Sequence, residues 1–226
     1  MRDRRLGYRV VATGIVNSGK SALLSALAGQ TGLFPSADVP GCTAKVTTEP
    51  VGPWLLVDTP GLDGPGNPLP EVLGEVRKAD TVLWCHSLRQ GELRPGELAA
   101  LAQMRLATAW RTCFVLTHAD DPPDPDRQAI VSGRMAAQLA EAFGLAMSPA
   151  GLMGRDPGIG PRRCLRPFDI VGVKAYWLAH SRSGEARAAL LACSGIPRLR
   201  RFLDHLAAGH GPRSDARPPA TSEVLA

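Results

Sequence analysis

The sequence predicts an α/β fold, a mostly parallel sheet of six strands with helices on both faces. Three observations carry that prediction. Short apolar runs with strand character alternate with helix-like stretches, the pattern that builds a parallel sheet. Residues 81–85 (TVLWC) and 112–116 (TCFVL) are apolar nearly throughout, as strands buried on both faces are. Between the first strand and the first helix, residues 14–21 read GIVNSGKS, which matches the phosphate-binding pattern GxxxxGK[ST] in the strand–loop–helix setting that pattern needs.

In chain order, residues 9–13 form the first strand and residues 22–27 the first helix. A break at 29–32 then opens a loop that runs to about Lys45. Residues 46–48 and 54–57 read as a hairpin, with Pro50, Gly52 and Pro53 between them. Asp58-Thr59-Pro60-Gly61 begins a Gly/Pro-rich loop through Pro70, and helical periodicity resumes at 71–78. After the strand at 81–85 comes an Ala/Leu-rich helix at 95–107. The strand at 112–116 ends at Thr117-His118-Ala119-Asp120 and leads to a helix at 126–143. Residues 147–167 are rich in Gly, Pro and Arg and predict a long loop. A last strand is predicted at 168–173 and two helices at 184–192 and 194–207. Residues 1–7 and 209–226 read as tails, the second disordered, around one domain over 8–208.

With 226 residues and 44% hydrophobic content, there is enough apolar material for one ordinary core. No apolar run approaches the ~18 to 20 residues of a membrane span. The charged start, Met1-Arg2-Asp3-Arg4-Arg5, lacks a signal-type apolar segment, so a cytoplasmic location is expected. Cys42, Cys85, Cys113, Cys164 and Cys193 are scattered without a CxxC, which argues for reduced thiols over a disulfide framework or a zinc site. The net charge of +5 comes from dispersed arginines with few aromatics, a poor fit to nucleic-acid binding. Arg155, Arg162, Arg163 and Arg166 read as a solvated loop, and His86, His180, His205 and His210 lack metal-ligand spacing.

The motif residues carry specific chemistry. Backbone N–H groups of residues 14–21 would converge on a β-phosphate at a helix N-terminus, where the helix dipole favours an anion. Lys20 supplies a point cation to the β- and γ-phosphates, and the Ser21 hydroxyl ligates Mg²⁺. Gly14 and Gly19 let the backbone approach the ligand closely. Asp58, after an apolar strand, is placed as a second Mg²⁺-associated carboxylate, and Gly61 leaves room for a backbone N–H to reach the γ-phosphate. Asp120 names the base: a carboxylate accepts two N–H bonds from guanine at once, and adenine offers no such pair on that edge.

At this point the sequence resembles the translation-factor-related GTPases, and within them the TrmE–Era–EngA-like group with its bacterial dynamin-like relatives. The motifs run in order over residues 8–207: the loop GIVNSGKS, then Pro40-Gly41-Cys42-Thr43, then Asp58-Thr59-Pro60-Gly61, then Thr117-His118-Ala119-Asp120, and last Gly172-Val173-Lys174, with SGIPRLRRFL from Ser194 as the opening of the final helix. The resemblance implies a P-loop G domain that binds GTP or GDP through Gly14, Asn17, Ser18, Gly19, Lys20, Ser21 and Ala22, through Thr117, His118 and Asp120, and through Gly172, Val173 and Lys174. It implies that Thr43 closes over the γ-phosphate and completes the Mg²⁺ shell with Ser21, that Asp58 holds the metal through water, and that Gly61 senses the γ-phosphate. Lys20, Thr43 and Gly61 are thus the expected catalytic set.

The departures from the pattern set further expectations. His118 stands where the group carries a lysine whose stem packs across the base, so guanine selectivity is expected to persist at lower affinity. Gly172 and Val173 replace Ser and Ala, leaving backbone contacts to the base. An insertion at 175–193 precedes the final helix, as in dynamin-like G domains. Leu62 occupies the place of a water-orienting glutamine, so hydrolysis must draw on something else. In TrmE-like relatives an asparagine in the phosphate loop helps hold a K⁺ beside the phosphates. Asn17 occupies that position, and the alternative is that it hydrogen-bonds its own loop. The expected activity is slow GTP hydrolysis to GDP and phosphate, as a switch acting on a protein partner, with a nucleotide-dependent homodimer as one form. The alternative is a nucleotide-binding scaffold with little or no hydrolysis.

Overall fold

The computed structural model describes residues 7–35, 45–105, 111–120, 124–143 and 169–209, with the backbone of 146–147 and 164–165. Strand β1 (Tyr8–Thr13) leads through the phosphate loop into helix α1 (Lys20–Ala28). Strands β2 (Thr47–Val51) and β3 (Trp54–Asp58) form the expected antiparallel hairpin, with Thr47 opposite Asp58. Helix α2 (Leu69–Lys78), strand β4 (Thr81–Ser87) and helix α3 (Pro95–Met104) follow, then strand β5 (Thr112–Thr117) and helix α4 (Pro125–Phe143).

One sheet holds six strands in the order β2-β3-β1-β4-β5-β8, where β8 is Asp169–Ile170, and every pair except the β2–β3 hairpin is parallel. Parallel strands need a crossover, and α1, α2, α3 and α4 supply them. Side chains alternate across the sheet, so each strand feeds two cores. Val11, Val57, Val82, Trp84, Phe114 and Leu116 pack with Val72, Val76, Leu101, Met135 and Leu139 from α2, α3 and α4. Val10, Ala12, Leu56, Leu83 and Val115 pack on the other face with Leu23, Leu24 and Leu27 of α1. Fully burying one such side chain contributes about 1.5–3 kcal/mol.

The C-terminal part differs from the sequence expectation. The last strand is two residues long, not six. Val171 still donates its N–H to the Leu116 carbonyl oxygen (2.8 Å), but Gly172 then becomes the N-cap of helix α5 (Val173–His180). Val173 and Lys174 therefore lie on a first helical turn instead of a strand. The insertion at 175–193 consists of the rest of α5 and most of α6 (Gly184–Ser194), and α7 (Ile196–Gly209) closes the fold with Ile196, Leu199 and Leu203 buried. Helix α3 ends at Met104, where Arg105 takes a left-handed conformation (φ 53°). Within the predicted 147–167 loop, Cys164–Leu165 (β7) pairs in parallel with Ala146–Met147 (β6), while 148–163 and 166–168 lie outside the described residues.

Candidate nucleotide site

The C-terminal ends of β1, β3, β4 and β5 bring the motif residues together, at the edge of the sheet where open α/β folds bind ligands. Gly14 leaves β1 with φ 142°, and a Cβ there would collide with the Cys85 carbonyl oxygen of β4. Only glycine satisfies both conditions, which is the physical reason for the motif's first residue. Asn17 is exposed with a left-handed backbone (φ 59°), and Gly19 caps α1 with φ 81°. Among the described residues the Asn17 amide takes no hydrogen bond from its own loop. The buried Ser18 and the half-buried Ala22 flank the charged centre.

Lys20 is buried. Its Nζ donates to the Ile15 carbonyl oxygen (2.7 Å) and lies 3.4 Å from Ser18 Oγ. Burial lowers its pKa from the ordinary 10.5, opposed in part by the carboxylates of Asp58 and Asp63. Cys85 also lies nearby, but burial pushes its thiol up to about 12, so it brings no negative charge at ordinary pH. Desolvation outweighs the two carboxylates, so the buried ammonium gains from the further negative charge that an incoming phosphate supplies.

Ser21 Oγ donates to Asp58 Oδ2 (2.6 Å), with both residues buried. Mg²⁺ takes oxygen donors, keeps several waters and is commonly completed by substrate phosphates. The Ser21–Asp58 pair fits that chemistry. Among the described residues no group of three or more His, Cys, Asp or Glu could hold a metal by itself, so the remaining positions would fall to phosphate and water. Thr59 Oγ1 donates to the Ala12 carbonyl oxygen (2.8 Å), tying β3's end to β1. Gly61 packs against Val16, where a Cβ would lie 2.7 Å from the Val16 nitrogen. Thr43 and the rest of Pro40-Gly41-Cys42-Thr43 lie outside the described residues.

The base motif is tied to the phosphate loop directly. Thr117 Oγ1 donates to the Ser18 carbonyl oxygen (2.7 Å). His118 takes a left-handed backbone (φ 59°), and its Nδ1 lies 3.0 Å from both Ser87 Oγ and Thr117 Oγ1. The ring thus lies against β4 and β5, beside Gly19. Asp120 Oδ2 accepts the backbone N–H of Ala175 at 2.6 Å. Gly172 is packed so closely that a Cβ there would sit 2.7 Å from Asp120 Cγ, which explains a glycine where a serine was expected. Val173 is half-buried and Lys174 exposed.

Three participants escape a motif reading: Asp63, Ser87 and Ala175. Asp63 could have been noticed as the first carboxylate after the Asp58–Gly61 motif. Ser87 and Ala175 carry no sequence signal, because their roles arise from contacts with residues 31 and 55 positions away. The histidines behave structurally where described. His86 is buried between Glu97 Oε1 and the Gly91 carbonyl oxygen (2.9 Å each), His180 bonds the Tyr176 carbonyl oxygen (2.9 Å), and His205 is exposed. Cys85, Cys113 and Cys193 are free thiols, and among the described residues no helix is long and apolar enough to cross a membrane. His210, Cys42 and the Arg155, Arg162, Arg163 and Arg166 cluster lie outside the described residues.

Residues 9–117 match the family model described as 50S ribosome-binding GTPase. Among curated proteins, the tRNA modification GTPase MnmE of Rhizorhabdus wittichii is 40% identical over 91 residues, 35% of this chain and 20% of that protein. MnmE of Acinetobacter baumannii is 35% identical over 97 residues, 39% of this chain and 21% of that protein. The chain thus spans about a fifth of the length of the curated relatives it matches. Among solved structures, Toc33 from Arabidopsis thaliana in complex with Mg²⁺ and GMPPNP superposes with a TM-score of 0.58 at 18% identity, over 90% of this chain and 85% of that one. A bacterial selenocysteine-specific elongation factor, EF-Sec, gives a TM-score of 0.56 at 15% identity, over 91% of this chain and 29% of that one. At these identities the structural likeness is one of fold.

Proposed function

We propose that this chain, a P-loop GTPase domain of the TrmE–Era-like group, works as a nucleotide-dependent switch that binds GTP with Mg²⁺ and hydrolyses it to GDP and phosphate. The observation that carries the reading is the buried centre of Lys20 beside the Ser21–Asp58 pair (2.6 Å), at the mouth of a loop joined through Thr117 to Asp120.

In the reaction a water oxygen attacks the γ-phosphorus, the bond to the β,γ-bridging oxygen breaks, and GDP leaves with the electron pair. Phosphoryl transfer asks the protein mainly for positioning and charge neutralisation. Lys20 faces the β- and γ-phosphates and regains in their charge what burial takes from its ammonium. Loop N–H groups of residues 17–22 cradle the β-phosphate at the start of α1. Mg²⁺ would supply positive charge against the charge that develops on the phosphate oxygens. Ser21 and Asp58 would hold it, and Thr43 would complete the set of oxygen donors. Gly61 offers its N–H to the γ-phosphate. Asp120 reads guanine, with His118 alongside the base and the turn of Gly172, Val173 and Lys174 contributing backbone groups.

Leu62 packs against the apolar core and has no polar group with which to orient water. A K⁺ held by Asn17, whose amide is exposed and unengaged, is the proposed source of the missing positive charge. Ordering of Thr43 and the 61–70 segment with GTP would alter affinity for a protein partner or a second copy of the chain. Leu62 also favours the second reading, a scaffold that binds nucleotide with little turnover.

The test is GTP turnover in KCl against NaCl beside Lys20→Ala, with ATP as competitor. Turnover that is stimulated by K⁺, lost in Lys20→Ala and unaffected by ATP is expected. Binding without turnover in either salt would move the function to the scaffold, and equal competition by ATP would remove Asp120 as the base reader.

A further inference from the structure

Residues 61–64 lie folded across the phosphate loop. Leu62 donates its N–H to the Gly14 carbonyl oxygen (3.1 Å), and Gly61 fits against Val16 with no space for a side chain. Gly64 donates its N–H to the Gly61 carbonyl oxygen (2.8 Å), which turns the chain so that Asp63 points back at the loop. Asp63 Oδ1 then accepts the Val16 N–H at 2.6 Å. Its carboxylate is close enough to Lys20 to favour that ammonium's charged form.

The loop presents N–H donors and a buried cation to an anion, and in the ligand-free chain one of those donors already holds an anion from the chain itself. The position of that anion matters. Asp63 follows Gly61 by two residues and bonds the outer arm of the loop at Val16, on the side where the Asp58–Gly61 segment approaches. The inner part of the loop, at Ser18–Ser21, is tied to Thr117 and Asp58, and Asp63 reaches it only through the field it exerts on Lys20. A diphosphate seated at the start of α1 leaves Asp63 undisturbed. A third phosphate, extending toward Gly61, meets a like charge and has to displace it.

We infer that Asp63 is a specificity-determining residue, an internal anion that competes with the terminal phosphate of GTP and so biases the chain toward GDP. This rests on the guanine-nucleotide reading of the site. Asp63 is exposed apart from this one bond, and on its release the 61–64 turn would stay held by the Leu62 N–H on the Gly14 carbonyl oxygen and by Gly61 against Val16.

The experiment compares the dissociation constants of GDP and the non-hydrolysable GMPPNP, each with Mg²⁺, for the wild-type chain and for Asp63→Asn and Asp63→Ala, with thermal melting to verify folding. Both variants are expected to tighten GMPPNP roughly five- to tenfold, the size of one ordinary coupling between sites, while GDP stays within about twofold. A GMPPNP-to-GDP ratio unchanged in both variants, or parallel shifts for both nucleotides, overturns the inference while leaving guanine binding intact. A wild-type chain that binds neither nucleotide overturns the site reading, and the inference with it.

Discussion

Gly172→Ala isolates the support behind base recognition. Gly172 has φ −114° and ψ 101°, an extended conformation that alanine adopts without strain, so the backbone exacts no penalty. The added Cβ would lie 2.7 Å from Asp120 Cγ and Oδ2 and 2.9 Å from its Cβ, well inside the ordinary contact of about 3.5–4.0 Å. Rotation of the Asp120 side chain leaves its Cβ in place, so relief requires the Asp120 and Gly172 backbones to move apart, which breaks the 2.6 Å bond to the Ala175 N–H. A hydrogen bond to a charged group is worth about 1.5–3 kcal/mol, or roughly 10- to 100-fold in affinity at 1.4 kcal/mol per decade. Titration with fluorescent GDP should show that loss. Discrimination against an inosine nucleotide, which lacks the exocyclic amino group, should shrink with it, and the melting temperature should fall by several degrees, about 2–4 °C for each kcal/mol lost. A variant with GDP affinity within about twofold of wild type and an unchanged melt would refute the chain of argument from Gly172 through Asp120 to the base. A lowered melt with intact affinity would show that α5 moves instead, and would equally remove Asp120's support as the determinant.

Two other outcomes follow from buried charge. Glu97 accepts from His86 Nδ1 (2.9 Å) and from the Arg94 N–H (3.0 Å), so Glu97→Ala strands buried partners and should cost about 2–4 kcal/mol of unfolding free energy. Glu97→Gln, which keeps the shape, should cost less, and equal losses in urea denaturation would show that the two bonds are not the cause. Burial lowers the pKa of Lys20, so between that lowered value and 10.5 the unfolded chain binds more protons than the folded one. The penalty is full below that window and gone above 10.5, and ligand-free stability should climb with pH across it. Nucleotide affinity should fall over the same range, because phosphate restores the charge. Lys20→Met should flatten the stability profile, and a variant profile parallel to wild type would contradict the assignment.

The elements around the nucleotide were legible because their signals are local. A strand, a Gly-rich loop and a helix occupy one continuous stretch at residues 8–28, and the buried strands ending at Ser87 and Thr117 are apolar enough to stand out. The end of the sheet was not legible. Residues 168–173 alternate like a strand, but Gly172 turns the chain into α5 by donating its N–H to the Ser194 carbonyl oxygen (2.9 Å), a partner 22 residues on. Helix α5 itself, VKAYWLAH, is short, starts at a β-branched residue and has no clean polar face, so neither period nor capping residue announces it. The site divides in the same way. Lys20, Ser21, Asp58 and Asp120 announced themselves by spacing, whereas the hold of Ala175 on Asp120 and of Asp63 on Val16 depends on chain reversals that spacing does not encode.

The two outer strands of the sheet bear on how the chain behaves in a crowd. A sheet exposes unpaired backbone groups along its margins, and a long flat margin invites neighbouring copies to extend it. Here one margin is β2, five residues long with Pro50 removing a donor from its middle, and the other is β8, only two residues before the chain turns away. Among the described residues neither offers a ladder long enough to template another chain. The apolar strands that do have aggregation-prone composition, β4 and β5, lie inside the sheet, so they become sticky only when the whole domain opens.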